Sequence, residues 1–293
     1  LSSRSSVPHP IPYQGSKRQI AAAILAHLPT DTHRLVEPFC GSAALSLAAA
    51  QAGLAQSFWL NDANAPLMRL WREIVDQPQA LAERYSALWH QQQGRERAFF
   101  DDIRTLFNQT HEPHYFLYLL ARSVKAVIRY NARGEFNNTP DNRRRGTRPD
   151  DMARRITAAS QLLTGKCRLS HLDYPEVLAR CTPDDVIYLD PPYQGVSGTR
   201  DSRYGARIDH PRFCQELDQL NRRGCRFIIS YDGRTGDKTF GEPLPRDLQL
   251  NRLEIAAGRS SQATLLGRRQ TTYESLYLSP AITAGSARRL RHA

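Results

Sequence analysis

Lysine is scarce in this 293-residue chain: Lys17, Lys125, Lys166 and Lys238 are the only lysines among forty basic residues, and the rest are arginine. A G+C-rich genome also produces such usage, so the excess of 40 Lys+Arg over 29 Asp+Glu, a formal charge of +11, is weak evidence by itself. It points to a polyanionic partner, either nucleic acid or an acidic membrane surface. Cysteine is sparse too. Cys40, Cys167, Cys181, Cys214 and Cys225 are odd in number, scattered and free of any C-x-x-C pair, which speaks against a disulfide framework and a zinc site. No metal is expected: in the one dense His/acid cluster, His111-Glu112-Pro113-His114, the proline breaks the register that would aim both imidazoles at one ion. No run approaches the roughly eighteen apolar residues of a membrane span. Leu1-Ser2-Ser3-Arg4 lacks the apolar stretch of a signal peptide, so no membrane contact and a cytoplasmic location are expected, with the missing initiator Met read as a trimmed start.

The composition itself is ordinary. With 40% hydrophobic and 24% charged residues, 17 glycines and 18 prolines, collagen-like, low-complexity and mostly disordered classes are excluded. The length exceeds that of a typical single domain, which predicts either one large α/β domain or a core domain carrying an insertion.

Hydrophobic periodicity divides the chain. A helix is predicted over Lys17–Leu28, a short strand over Arg34–Phe39, a tight turn at Cys40-Gly41-Ser42, a helix over Ala43–Ala50 and a second strand at Ser57–Leu60. Strand, glycine turn, helix and strand make a βαβ unit and imply a parallel sheet. From Pro66 to about Gly165 strand signals vanish. Leu67, Leu70, Trp71 and Ile74 form one helical stripe, Leu81, Tyr85 and Leu88 another, and Tyr115–Tyr130 reads as a third helix before the arginine-rich stretch Arg129–Arg148. Strands return at Cys167–Ser170 and at Asp185–Asp190, a run of the kind buried on both faces. A helix over His210–Arg223 then leads to strand Arg226–Ser230. Two last strands, Leu248–Ile255 and Thr272–Leu278, are joined by a loop at Gly258–Arg269. The expected fold is thus α/β, a Rossmann-like sheet, with residues 1–65 and 166–293 forming one domain and 66–165 a mostly helical insertion.

Two constellations carry chemistry. Asp190-Pro191-Pro192-Tyr193 stands at the C-terminal end of the buried strand, the edge of a parallel sheet where ligands bind. Consecutive prolines remove two N–H donors, so carbonyls and the Asp190 carboxylate form a cluster of acceptors beside an aromatic ring. That cluster suits a planar group bearing an amino function, such as the exocyclic amine of a flipped base; the alternative is a plain Pro-Pro turn with an exposed tyrosine. Glu37-Pro38-Phe39-Cys40-Gly41-Ser42-Ala43 is a strand-to-helix turn with a glycine where the backbone must come close to something. The full G-x-G-x-x-G pattern and a P-loop lysine are absent, which counts against NAD and ATP. Asp62, about twenty residues on, lies where an acid takes ribose hydroxyls. Glycine turn plus carboxylate suggests a nucleoside cofactor without a pyrophosphate.

Taken in order, these residues resemble the Dam-type adenine-specific DNA methyltransferases, over nearly the whole chain. Pro12-Tyr13-Gln14-Gly15-Ser16-Lys17 is similar to the family's N-terminal cofactor motif, with Tyr13 and Lys17 at contacting positions. Glu37-Pro38-Phe39-Cys40-Gly41 is similar to its glycine motif, Asp62 to its ribose-binding acid, and Leu172-Asp173-Tyr174 to the motif lining the cofactor's adenine. Asp190-Pro191-Pro192-Tyr193 is similar to the catalytic tetrapeptide, and Arg129–Asn137 to a stretch of the target-recognition domain that approaches DNA.

The resemblance implies methyl transfer from S-adenosylmethionine to the N6 amino group of adenine in double-stranded DNA, with base flipping. Its catalytic residues would be Asp190, Pro191, Pro192 and Tyr193. Tyr13, Lys17, Glu37, Phe39, Gly41, Asp62, Asp173, Tyr174 and Asp190 would bind cofactor. DNA would meet Arg129, Tyr130, Asn131, Arg133, Phe136, Asn137, Arg143, Arg144 and Arg145, with Arg148 in the same cluster and Arg259, Arg268 and Arg269 as a second, weaker candidate. A monomer acting on DNA is implied, within restriction-modification beside a cognate endonuclease or as an orphan or phage-type methylase. The segment Gly195–Gly205, with Arg200 and Arg203, is expected to order over DNA and cofactor. Three positions depart from the family pattern: Ala43 for the commoner Gly, expected to narrow the pocket slightly; Asn138-Thr139-Pro140-Asp141 for an apolar-proline continuation, which leaves the family's best-known target, GATC, unassigned here; and Ser230-Tyr231-Asp232 for Ser-Asn. Two rival readings are a methyltransferase for cytosine N4, RNA or protein glutamine, and a non-catalytic DNA-binding relative.

Overall fold

The computed structural model describes residues 6–192, 208–236, 238–259 and 271–284. Eight strands form one sheet: β1 (Arg34–Glu37), β2 (Ser57–Asn61), β3 (Cys167–Ser170), β4 (Asp185–Leu189), β5 (Arg226–Thr235), β6 (Lys238–Phe240), β7 (Asn251–Arg259) and β8 (Thr271–Leu278). Their order is β3-β2-β1-β4-β5-β8-β7, with β6 on β5. The first five are parallel, whereas β8 runs antiparallel to both β5 and β7. Because β1 pairs with β2 on one side and with β4 on the other, the order reverses there and a crevice opens at the C-terminal ends of β1 and β4.

The central strands are apolar throughout because both faces are covered. Leu35, Phe58, Leu60, Val186, Tyr188 and Ile228 point into one core, while Val36, Trp59, Ile187, Leu189, Phe227 and Ile229 alternate into the other, the two-residue period of a strand. Helices α8 (Tyr174–Ala179) and α9 (His210–Arg222) cover the second face. The first carries α1 (Ala21–Leu25), α2 (Ala44–Ala52), α3 (Ala65–Asp76), α4 (Pro78–Gln91), α5 (Glu96–Thr110), α6 (Pro113–Arg122) and α7 (Pro149–Leu163). Within this group α7 lies on α2 and α3 touches β3, while α4, α5 and α6 build outward.

Several boundaries differ from those predicted. The N-terminal helix is a 3₁₀ turn at Lys17–Gln19 followed by one short α-helix. The helix predicted over Tyr115–Tyr130 stops at Arg122; Val127 and Ile128 are buried beyond it, and Val127 has the extended backbone that β-branched side chains favour. Strand β5 continues five residues beyond Ser230 because β8 offers it a partner as far as Thr272. Neither six-residue α8 nor three-residue β6 is long enough to show a period in sequence.

Candidate active site

The crevice at the switch point holds a cavity of about 340 Å³. Its floor is the turn after β1. Gly41 takes φ +47°, and a Cβ there would stand 3.0 Å from the Tyr13 ring, so the turn needs glycine for both its conformation and its contact. The turn is held from both sides: Gly41 N–H donates to Asp62 Oδ2 at 3.1 Å, and its carbonyl accepts from buried Trp71 Nε1 at 2.9 Å. Asp62 Oδ1 accepts from the Asn64 N–H at 3.0 Å. Buried Asn61 binds Pro38 O and Leu172 O through Nδ2, and Ser170 Oγ and the Leu172 N–H through Oδ1, fastening the ends of β1, β2 and β3 to one another. Ala43 adopts a left-handed φ of +48° at the start of α2. It is fully buried in the core and does not line the cavity, so the expected narrowing by its methyl group is corrected: the alanine bears on backbone strain, not on pocket width.

Charge is concentrated at the back of the cavity. Lys17, only 7% exposed, places Nζ 2.9 Å from Asp190 Oδ1 and 3.6 Å from Glu274 Oε2. Burial pushes the Asp190 carboxyl up to about 6; Lys17 opposes the shift and Glu274 adds to it. Glu37, at the end of β1, accepts the Ser46 N–H at 2.8 Å, and burial raises its carboxyl to about 7. At the mouth, the rings of Phe39 and Tyr174 lie 5.2 Å apart. Asp173 caps α8 there, and Asp209 caps α9 by accepting the Arg212 N–H at 2.8 Å. Among the described residues, Glu37, Asp62, Asp173, Asp190 and Asp209 thus line the cavity beside Lys17 and Arg212. In a chain of net charge +11, the cavity is acidic and suits a ligand carrying positive charge and a planar ring.

A family model described as D12 class N6 adenine-specific DNA methyltransferase matches residues 13–259. The chain belongs to this family. It is 32% identical over 264 residues to the Retron Ec67 DNA adenine methylase of Escherichia coli, covering 86% of this chain and 87% of the relative. It is 27% identical over 266 residues to a DNA adenine methylase of Vibrio cholerae, with 87% and 90% coverage. To the type II methyltransferase M1.LlaDCHI of Lactococcus lactis subsp. cremoris it is 22% identical over 269 residues, again with 87% and 90% coverage. The protein is an adenine-specific DNA methyltransferase on an α/β sheet.

In this methyltransferase all nine residues read as cofactor-binding, Tyr13, Lys17, Glu37, Phe39, Gly41, Asp62, Asp173, Tyr174 and Asp190, line one cavity, together with Pro191 and Pro192. Tyr193, the segment Gly195–Gly205, Arg268 and Arg269 lie outside the described residues, as does the side chain of Arg259. The motifs did not single out Glu274, Asp209 or Arg212. Glu274 is isolated in sequence, and the other two follow β4 at a distance no local pattern fixes. Among the described residues no helix is long and apolar enough to cross a membrane.

The stretch Arg129–Asn137 is a small hairpin. Asn137 N–H bonds Arg129 O and Asn131 N–H bonds Glu135 O, both at 2.9 Å. Arg133 and Asn131 both bond Glu135 Oε2 at its tip. Phe136 is corrected here: it is 1% exposed and packed edge-on against Phe107 and Phe116, so its ring belongs to the core and cannot meet DNA. Tyr130 is half-buried, with its hydroxyl on the Asn64 side chain. Arg129, Arg133, Asn137, Arg143, Arg144, Arg145 and Arg148 are exposed. Some are paired already: Arg133 with Glu135, Arg144 with Asp141 and Arg145 with Glu96. The loop bearing Arg143–Arg148 is tied to α4, since Tyr85 donates to Thr147 O at 2.7 Å and buried Gln92 to Arg145 O at 3.0 Å.

Proposed function

We propose that the acidic cavity binds S-adenosylmethionine and that Asp190 and Pro191 hold the N6 amine of a flipped adenine. The observation that carries this reading is the meeting, at one switch point, of the Lys17–Asp190 pair with the Gly41–Asp62 turn. The residues fit the cofactor. The Phe39 and Tyr174 rings suit its adenine, Asp62 its ribose hydroxyls, and the carboxylate excess its cationic end. When bound, it supplies a methyl group whose bond to sulfur breaks with the electron pair left on sulfur. The chain's own part is orientation. Lys17 occupies Asp190 Oδ1, so the amine meets Oδ2 and the Pro191 carbonyl, in a corner where Pro191 and Pro192 provide no competing N–H. Accepting both amine hydrogens draws the nitrogen toward tetrahedral geometry and frees its lone pair for the methyl carbon. The nitrogen then sheds one proton, which passes to water.

On this reading residues 66–165 form the target-recognition domain on duplex DNA, carried by a catalytic domain of 1–65 and 166–293, and a monomer working in the cytoplasm acts on each site. The test is transfer of labelled methyl groups to plasmid DNA followed by nucleoside analysis. N6-methyladenine with the wild type and none with Asp190→Ala is expected. Label in methylcytosine, or equal labelling by Asp190→Ala, would overturn the reading.

A further inference from the structure

Glu274 belongs to none of the motifs, yet it reaches the buried charge cluster from β8, two strands along the sheet from β4. It does so because β5 is irregular: Ser230 pairs with Leu276 but Gly233 with Glu274, so β5 carries one residue more than β8 over this span. A bulge of this kind bends the strand and re-aims nearby side chains. Gly233 is required by it, since a Cβ there would lie 2.5 Å from the Tyr273 carbonyl oxygen. The outcome is a carboxylate 3.6 Å from the Lys17 ammonium. Its Oε2 is buried and makes no hydrogen bond among the described residues.

Resting on the reading that Asp190 holds the adenine amine, we infer that Glu274 is a positioning residue for methyl transfer: it shares the Lys17 ammonium with Asp190, so that the cluster presents net negative charge to the amine nitrogen. Lys17 and Asp190 alone make a neutral pair. The nitrogen gains positive charge as it takes the methyl group, and a fixed negative charge in a buried site stabilises that change most. Glu274 restores the charge that Lys17 cancels, and it draws Nζ to one side of Asp190, keeping Oδ2 for the substrate. Among the described residues, the charged groups around Asp190 are Lys17 from the 3₁₀ turn, Glu274 from β8 and Glu37 from β1.

The test compares the wild type, Glu274→Gln, Glu274→Asp and Asp190→Ala as full chains, by methyl transfer to plasmid DNA from about pH 5 to 8. Glu274→Gln is expected to lower the plateau kcat on the order of 10- to 100-fold, with KM for DNA and for S-adenosylmethionine within about threefold. Its acid limb should move to lower pH, because a negative neighbour of Asp190 has gone. Glu274→Asp should recover part of the rate; if Glu274→Gln does not fold, it decides the matter, by a lowered plateau with a limb near that of the wild type. An unchanged plateau, or a loss confined to KM or thermal stability with the limb unmoved, overturns the inference. Full activity of Asp190→Ala would instead overturn the site reading, whatever Glu274 does.

Discussion

The Tyr130 hydroxyl meets both atoms of the Asn64 side-chain amide, accepting from Nδ2 at 3.0 Å and donating to Oδ1 at 3.2 Å. Asn64 caps α3 by accepting the Leu67 N–H, and its own N–H holds Asp62. The Arg129–Asn137 hairpin is therefore bonded to the residue whose N–H holds Asp62 in the cavity wall. Tyr130→Phe removes one partner of a half-buried pair and should cost about 1 kcal/mol. It should weaken DNA binding more than cofactor binding, read by unfolding midpoints and by fluorescence titration of each ligand.

Gly41→Ala asks for a Cβ where the Tyr13 ring already stands at 3.0 Å, at φ +47°. Left-handed backbone costs a non-glycine residue about 1–2 kcal/mol, and displacing Tyr13 disturbs the cavity wall. The expected result is a folded but less stable protein whose affinity for S-adenosylmethionine falls at least about tenfold, which is about 1.4 kcal/mol. Equilibrium dialysis against the labelled cofactor measures it.

On the proposed reading Asp190 accepts from the amine most strongly when ionised, and burial raises its carboxyl to about 6. Methyl transfer should therefore fall as the pH drops through that value. The charge of Lys17 holds the Asp190 carboxyl down, so Lys17→Met should move the acid limb upward. Rates of one turnover across the pH range, with circular dichroism at each point to confirm folding, decide this.

Glu37 is 3% exposed, and burial lifts its carboxyl from 4.5 to about 7. A raised folded-state value means that stability is fully present below about 4.5 and is lost as the pH rises through about 7. Glu37→Gln keeps an acceptor for Ser46 and never ionises. It should equal the wild type in stability at low pH and exceed it by up to about 3 kcal/mol at pH 8, while binding cofactor less well. Denaturant melts at both pH values test the sign.

Phe136→Ala should lower stability by about 3–5 kcal/mol, because it empties a site packed edge-on against the stacked rings of Phe107 and Phe116. Arg143→Ala should leave stability within about 0.5 kcal/mol. As a phosphate contact, it should reduce the slope of log affinity against log salt by about 0.9. Thermal melts and salt-dependent DNA titrations separate the core residue from the surface one.

Much of the candidate site is legible in the sequence, because its residues sit at the ends of strands whose apolar runs mark them. Glu37, Gly41, Asp62 and Asp190 follow β1, the turn, β2 and β4 in order, and parallel strands carry their C-terminal ends to one edge. The Arg129–Asn137 segment is less legible. Phe136 and Tyr130 look like aromatics interleaved with arginines, and only the packing of α5 and α6 beneath them shows one ring buried and the other bonded to Asn64. The helix predicted through Val127 and Ile128 failed because apolar spacing does not distinguish a helix face from buried extended chain.

The sequence by itself determined the βαβ order, the sheet edge that bears the site and the residue types that meet there, since periodicity and turn chemistry are local. Only the tertiary structure decided that Glu274 joins Lys17 and Asp190, that Ala43 strains the turn without lining the cavity, and that Tyr130 is fastened to Asn64. Each of these depends on strand register, a single bulge or packing between distant segments, and none leaves a period or a motif along the chain.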